Sequence, residues 1–107
     1  MAAVKLVVIY PTPKDIDAFE KVYQEEHIPM AVQKLAGKTR LVATKAMPSP
    51  LGTPAFHRIA EIHFPSMDAL QASLNSPGGK ETAAHAVKIS SGGPPIMFIA
   101  EEQSLSF

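Results

Sequence analysis

Ten prolines cut this 107-residue chain into short pieces, and their positions limit its fold more than any other feature. Proline fixes its own φ, lacks a backbone N–H and disfavours helix in the residue before it. Val4 to Tyr10 is rich in β-branched residues and stops at Pro11-Thr-Pro13, so it reads as a strand and a hard turn. Asp15 follows as an N-cap for a helix that runs to about Ile28. A bend is expected at Pro29, then a short helical piece from Met30 to Leu35, closed by Ala36-Gly37. Lys38 to Met47 reads as a second strand. Pro48 to Pro54 is a loop, with three prolines and a glycine in seven residues. Phe56 to Phe64 alternates as a third strand and ends at Pro65-Ser66. Ser66 can cap a helix that carries Met67, Leu70 and Leu74 on one face. Asn75 to Gly79 breaks that helix, and Lys80 to Ile89 resumes it, with Ala83, Ala84 and Val87 spaced to face inward. Ser90 to Pro95 breaks the chain again before a fourth strand, Ile96 to Ala100.

The order is therefore strand, helix, strand, strand, broken helix, strand. Two βαβ halves with right-handed crossovers give an α+β, ferredoxin-like fold: a four-stranded antiparallel sheet with the helices on one face. The chain is short enough for one domain, placed at residues 1–103 with a C-terminal tail at 104–107. A sheet covered on one face should alternate apolar and polar residues along its strands. Leu6 to Ile9 and Ile96 to Ile99 are apolar throughout. The second face then needs a cover too, and a second copy of the chain supplies it, as a homodimer packed sheet against sheet.

Ten basic residues balance ten acidic ones, which gives no electrostatic case for a nucleic-acid or anionic-membrane partner. Cysteine is absent, so disulfide and thiolate chemistry are excluded. The apolar run Leu6 to Ile9 is too short for a signal-peptide core or a membrane span, and the expected setting is the cytoplasm.

The first helix carries the most suggestive side chains. Ile16, Phe19, Tyr23, His27 and Met30 fall near one stripe, while Asp17, Glu20, Lys21, Gln24 and Glu25 take the other side. An imidazole thus sits where an apolar side chain belongs, with a phenol one turn behind it. Histidine titrates close to physiological pH, so it points either to acid/base chemistry or to a core residue with a satisfied hydrogen bond.

The segment Phe19-x-x-x-Tyr23-x-x-x-His27-x-Pro29-Met30 resembles the signature of the EthD family within the dimeric α/β-barrel superfamily. Ala60 to Leu70, followed by Leu74-Asn-Ser-Pro77, is similar to that family's third strand and second helix. The resemblance implies a dimeric α/β barrel encoded beside an oxidative system that degrades ethyl tert-butyl ether. Relatives in the superfamily include cofactor-free monooxygenases, lactone isomerases, haem-degrading enzymes and polyketide cyclases. Many carry an acidic residue near the position of His85, where this chain has histidine.

The expected site is a pocket between sheet and helices. His27 and Tyr23 are its candidate catalytic residues, and Phe19, Met30 and Arg58 its candidate ligand contacts. Arg58 belongs there if its face of the third strand, shared with Phe56, Ala60, Ile62 and Phe64, meets the helices; the period of two leaves that open. His57, Ile59, Glu61 and His63 share the opposite face. Glu61 and His63 are metal-ligand types, but nothing fixes a complete set, so no metal and no other cofactor is expected. Three functions compete. The first is a dimeric catabolic protein that binds an apolar small molecule and uses His27 as general acid/base. The second is a non-enzymatic carrier assisting an oxidative enzyme. The third is a haem-handling protein with His27 as axial ligand.

Overall fold

The computed structural model describes residues 3–107 and contains one sheet of four strands, β1 (Ala3–Pro11), β2 (Arg40–Lys45), β3 (Phe56–Phe64) and β4 (Ile96–Glu102). Their order is β2-β3-β1-β4, and every neighbouring pair is antiparallel. Between β1 and β2 run α1 (Ile16–Val22), a π-helical turn (Tyr23–His27) and α2 (Ile28–Lys34). Between β3 and β4 run α3 (Met67–Asn75) and α4 (Pro77–Ile89). This is the ferredoxin-like α+β arrangement that the element order implies.

Strand register decides which residues meet the helices. Val4 pairs with Phe64, Leu6 with Ile62, Val8 with Ala60 and Tyr10 with Arg58. Val4, Val8, Tyr10, Ala60, Ile62 and Phe64 join Phe19, Tyr23, Ala31, Leu35, Leu70 and Ala86 in the buried core. Arg58 thus shares the helix-facing side of β3. The helices leave β4 largely uncovered: Ile96, Met97, Phe98 and Ile99 remain 45, 37, 44 and 43% exposed.

The first helical region does not stop at Pro29. Its ring would crowd the carbonyl four residues back, and it has no N–H to offer. The chain takes a wider turn just upstream, in which the Ile28 N–H reaches the Tyr23 carbonyl, five residues back. Pro29 then occupies the first turn of α2, where a missing N–H costs nothing. Asp15 caps α1 as expected, its carboxylate accepting from the Ala18 N–H at 3.0 Å.

The second helical break is shorter than the sequence suggests. Ser76 alone separates α3 from α4. Its hydroxyl accepts from the Gly79 N–H at 3.0 Å, so Pro77 to Gly79 form the first turn of α4. That phase buries Thr82 and Ala86 and half-buries Ala83, whereas Ala84 and Val87 point to solvent. Ile16 is likewise 45% exposed and lies off the core stripe. Glu20, assigned to the solvent side, is half-buried against β3. His57 also departs from strand parity. A register shift between Tyr10 and Pro11 skips it, and it turns toward α1 to meet Phe19 and Glu20.

Candidate functional site

A cavity of about 580 Å³ lies between the sheet and the helices, within the size range of small-molecule sites. Its wall is mostly aliphatic, from Leu6 and Val8 on β1 to Ile99 on β4, with Ala31 and Ala86 from the helices. Tyr10, Tyr23, His27, Thr82 and Lys80 bring the side-chain polar groups. Thr82 already donates its hydroxyl to the Gly78 carbonyl at 2.8 Å. The Tyr23 hydroxyl has no hydrogen-bond partner among the described residues.

The π-turn sets the geometry of the first helix's aromatic residues. It brings side chains four apart nearly into line, and Tyr23 and His27 stack at 5.8 Å between centroids and 22° between planes. Phe19 continues the stack below Tyr23, at 5.4 Å and 17°. Tyr10 stands edge-on to all three. π-turns of this kind concentrate at functional sites.

His27 uses both ring nitrogens. Nε2 lies 3.1 Å from the Tyr10 hydroxyl, and Nδ1 lies 2.8 Å from Nδ1 of His85 on α4. Burial, followed by the neighbouring His85, pushes the His27 pKa down to about 4, so the ring is neutral at pH 7. Burial pushes the Tyr10 hydroxyl up, out of reach of ionisation. Tyr23 is raised as well, chiefly by burial, with the Arg58 charge pulling the other way.

Behind the stack, Arg58 forms a two-pronged bond to Glu20, with Nη2–Oε1 at 2.6 Å and Nε–Oε2 at 3.0 Å. His57 Nε2 adds a third contact at 3.0 Å to Oε2. The guanidinium lies 5.1 Å from the Tyr23 ring centroid, a cation–π distance. The Arg58 hydrogen bond is the largest cause holding the Glu20 carboxyl at about 2, outweighing its burial. The Arg58 guanidinium thus packs against Tyr23 while its charge is answered by Glu20.

Of the residues singled out from sequence, His27 and Tyr23 line the cavity together. Phe19 is buried beneath Tyr23, Arg58 is committed to Glu20, and half-buried Met30 faces elsewhere; none of the three is part of the wall. Tyr10 and Glu20 were not singled out, and His85 was marked only by the family resemblance, yet each touches the stack or its support. Strand parity could have found Tyr10, which follows Leu6 and Val8 on the core-facing side. Nothing local marks His85, 58 residues from its partner. Both His27 ring nitrogens are hydrogen-bonded, so an axial bond from either to a haem iron would have to replace one of these contacts. On the other sheet face, Glu61, His63 and Glu102 bring ligand-type atoms within 4.8 Å of one another. Lys5 Nζ bonds both carboxylates there, so the cluster already holds its own cation.

Similarity to known proteins agrees with this architecture. An uncharacterised protein from the thcB–thcC intergenic region of Rhodococcus erythropolis is 29% identical over 101 residues, covering 94% of this chain and 97% of that protein. An ethyl tert-butyl ether D (EthD) family protein from Bacillus halodurans superposes with a TM-score of 0.86 at 29% identity, covering 96% of this chain and 100% of the other. A dimeric ferredoxin-like protein of unknown function from Bacteroides fragilis shares the fold, with a TM-score of 0.65 at 14% identity over 94% of this chain and 96% of its own. The EthD domain itself matches residues 12–91, most of the chain, and this protein belongs to the EthD family.

Proposed function

We propose that this protein binds an apolar small molecule in the cavity between sheet and helices and serves proton transfer on it. In this reading His27 is the acid/base group and Tyr23 its neighbour at the ligand. The observation that carries it is a buried imidazole, desolvated to a pKa of about 4, in a mostly aliphatic wall that it shares with the Tyr10 and Tyr23 phenols, Thr82 and Lys80. An imidazole of that basicity is fully unprotonated at pH 7, so the ring meets the ligand as a neutral group with one N–H and one lone pair. The setting we propose is cytoplasmic oxidative catabolism of ethers or aromatic, polyketide-like compounds, with the protein acting as a homodimer beside an oxidative enzyme. Support comes from the family and from the uncovered β4. The same neutral ring, bonded at both nitrogens, favours a second reading as a non-enzymatic carrier for that enzyme.

Naphthalene, which has no polar group, tests the cavity alone. Titration should show saturable binding to the protein, weakened about tenfold or more by Ala86→Phe, since the ring would occupy the cavity. Val87→Phe, on the exposed side of the same helix, should leave binding unchanged. Absence of binding, or equal binding to both variants, would overturn the proposal. Once a natural ligand is in hand, loss of turnover in His27→Ala with retained binding separates enzyme from carrier.

A further inference from the structure

Tyr10 is fully buried, and among the described residues its hydroxyl has one partner, His27 Nε2. A buried hydroxyl hydrogen needs an acceptor. Tyr10 therefore donates, and Nε2 accepts. A neutral imidazole that accepts at one nitrogen carries its hydrogen on the other. His27 is thus the Nδ1–H tautomer and donates to Nδ1 of His85, which in turn holds its own hydrogen on Nε2. The ring geometry agrees: centroids 5.1 Å apart and planes within 12° place donor and lone pair in one plane. The reverse arrangement would leave the Tyr10 hydrogen without an acceptor in the core.

The two ends of this chain of bonds are not alike. Tyr10 borders the cavity but is fully buried, held edge-on against the aromatic stack. His85 is partly exposed on α4 and lies outside the cavity wall, although Thr82 and Ala86 beside it belong to that wall. His85 is the partner that can move aside, whereas Tyr10 cannot.

We infer that His27 Nδ1–H is the hydrogen-bond donor to the cavity's ligand, that a ligand oxygen displaces His85 Nδ1 from it, and that the ligand is therefore an apolar molecule bearing a carbonyl oxygen. This deepens the binding half of the proposed function and rests on it. Tyr10 acts as a positioning residue: its hydroxyl is committed to His27 Nε2 and sets the direction of that ring, although its side chain borders the cavity. The Tyr23 hydroxyl is free to add a second hydrogen bond to the same oxygen, because a carbonyl has two lone pairs. Arg58 and Glu20 neutralise each other behind Tyr23 and do not compete for it.

The tautomers can be read without any ligand, by long-range proton–nitrogen NMR on the histidine-labelled protein at pH 7. Nδ1–H on His27 and Nε2–H on His85 are expected; Nε2–H on His27 would overturn the inference. Calorimetry then compares 1-tetralone, an acceptor only, with 1-naphthol, of similar size and oxygen position, whose hydroxyl donates and whose oxygen is the weaker acceptor. Tetralone should bind about tenfold tighter, the ratio given by one well-made hydrogen bond. Tyr10→Phe should erase that preference, and His85→Ala should tighten tetralone severalfold by uncovering the donor. If Tyr10→Phe does not fold, the wild-type tautomer and the order of the two probes decide. Naphthalene binding without preference between the oxygenated probes overturns the carbonyl assignment alone. Failure of all three probes to bind overturns the cavity reading with it.

Discussion

Burial decides what His27 does with protons. The ring is 7% exposed, and its pKa falls from 6.5 to about 4 on folding. Between those values the unfolded chain binds a proton that the folded chain refuses, so acid favours unfolding. The contribution is complete above pH 6.5 and is lost progressively as pH falls to 4, by about 3 kcal/mol. Glu20 works in a lower window: its carboxyl is held at about 2, so its contribution is lost as pH falls from 4.5 toward 2. Melting temperatures across pH 4 to 6.5 should therefore drop steeply in the wild type and much less in His27→Gln, whose amide oxygen still accepts from Tyr10. Parallel curves for the two proteins would show that His27 is not the titrating group. The spacing of Tyr23 and His27 was legible because both sit on one helix. Their partners were not: Glu20 looked like a surface residue until the Arg58 and His57 contacts placed it, and His85 comes from the other half of the chain.

Among the elements, prolines and glycines announced where the chain breaks but not how hard. Pro77 read as an interruption yet sits in the first turn of α4, whereas Pro29 opens the short second helix from its first turn, as a residue without an N–H can. The wide turn before Pro29 keeps Tyr23 and His27 stacked on the cavity side, a detail invisible to a 3.6-residue pattern. At the α3–α4 junction, a Cβ on Gly79 would lie 1.9 Å from the Ser73 carbonyl oxygen and 2.9 Å from the Leu74 Cα. Both are backbone atoms, so the two helices would have to separate. Gly79→Ala should cost about 3 kcal/mol or more in urea unfolding, at the upper end for overpacking. Gly37→Ala is the useful contrast. Gly37 has φ of +85° and nothing within 4 Å of its would-be Cβ, so its cost is backbone strain alone, about 1 kcal/mol. Equal losses at the two sites would mean that the junction is looser than its geometry shows.

For the whole molecule, four apolar residues of β4 in a row remain more than a third exposed, in a sheet whose helices cover only one side. The same two-sided apolarity was readable in Leu6 to Ile9 and Ile96 to Ile99, because a strand with water on one face would alternate. Phe98 pairs with Val7, and Ile96 with Ile9, so both lie on the face turned away from the helices. That face also carries the Lys5, Glu61 and Glu102 ion pairs, with His63 beside them. Such a surface pairs an apolar strip with a charge cluster in which Lys5 bonds both carboxylates, so neither carboxylate would be buried without a cationic partner. A second copy of the chain packed on it accounts for both features, and an obligate interface of this type buries more than about 2,000 Å² in total. Sedimentation equilibrium at micromolar concentration should therefore give twice the chain mass. Phe98→Asp, which places a charge in the strip, should yield monomers or unfolded chains. Leu51→Asp, in the fully exposed loop between β2 and β3, should leave the dimer intact. A wild-type monomer, or a Phe98→Asp protein that sediments as wild type, would remove the sheet-to-sheet dimer and leave β4 without a cover.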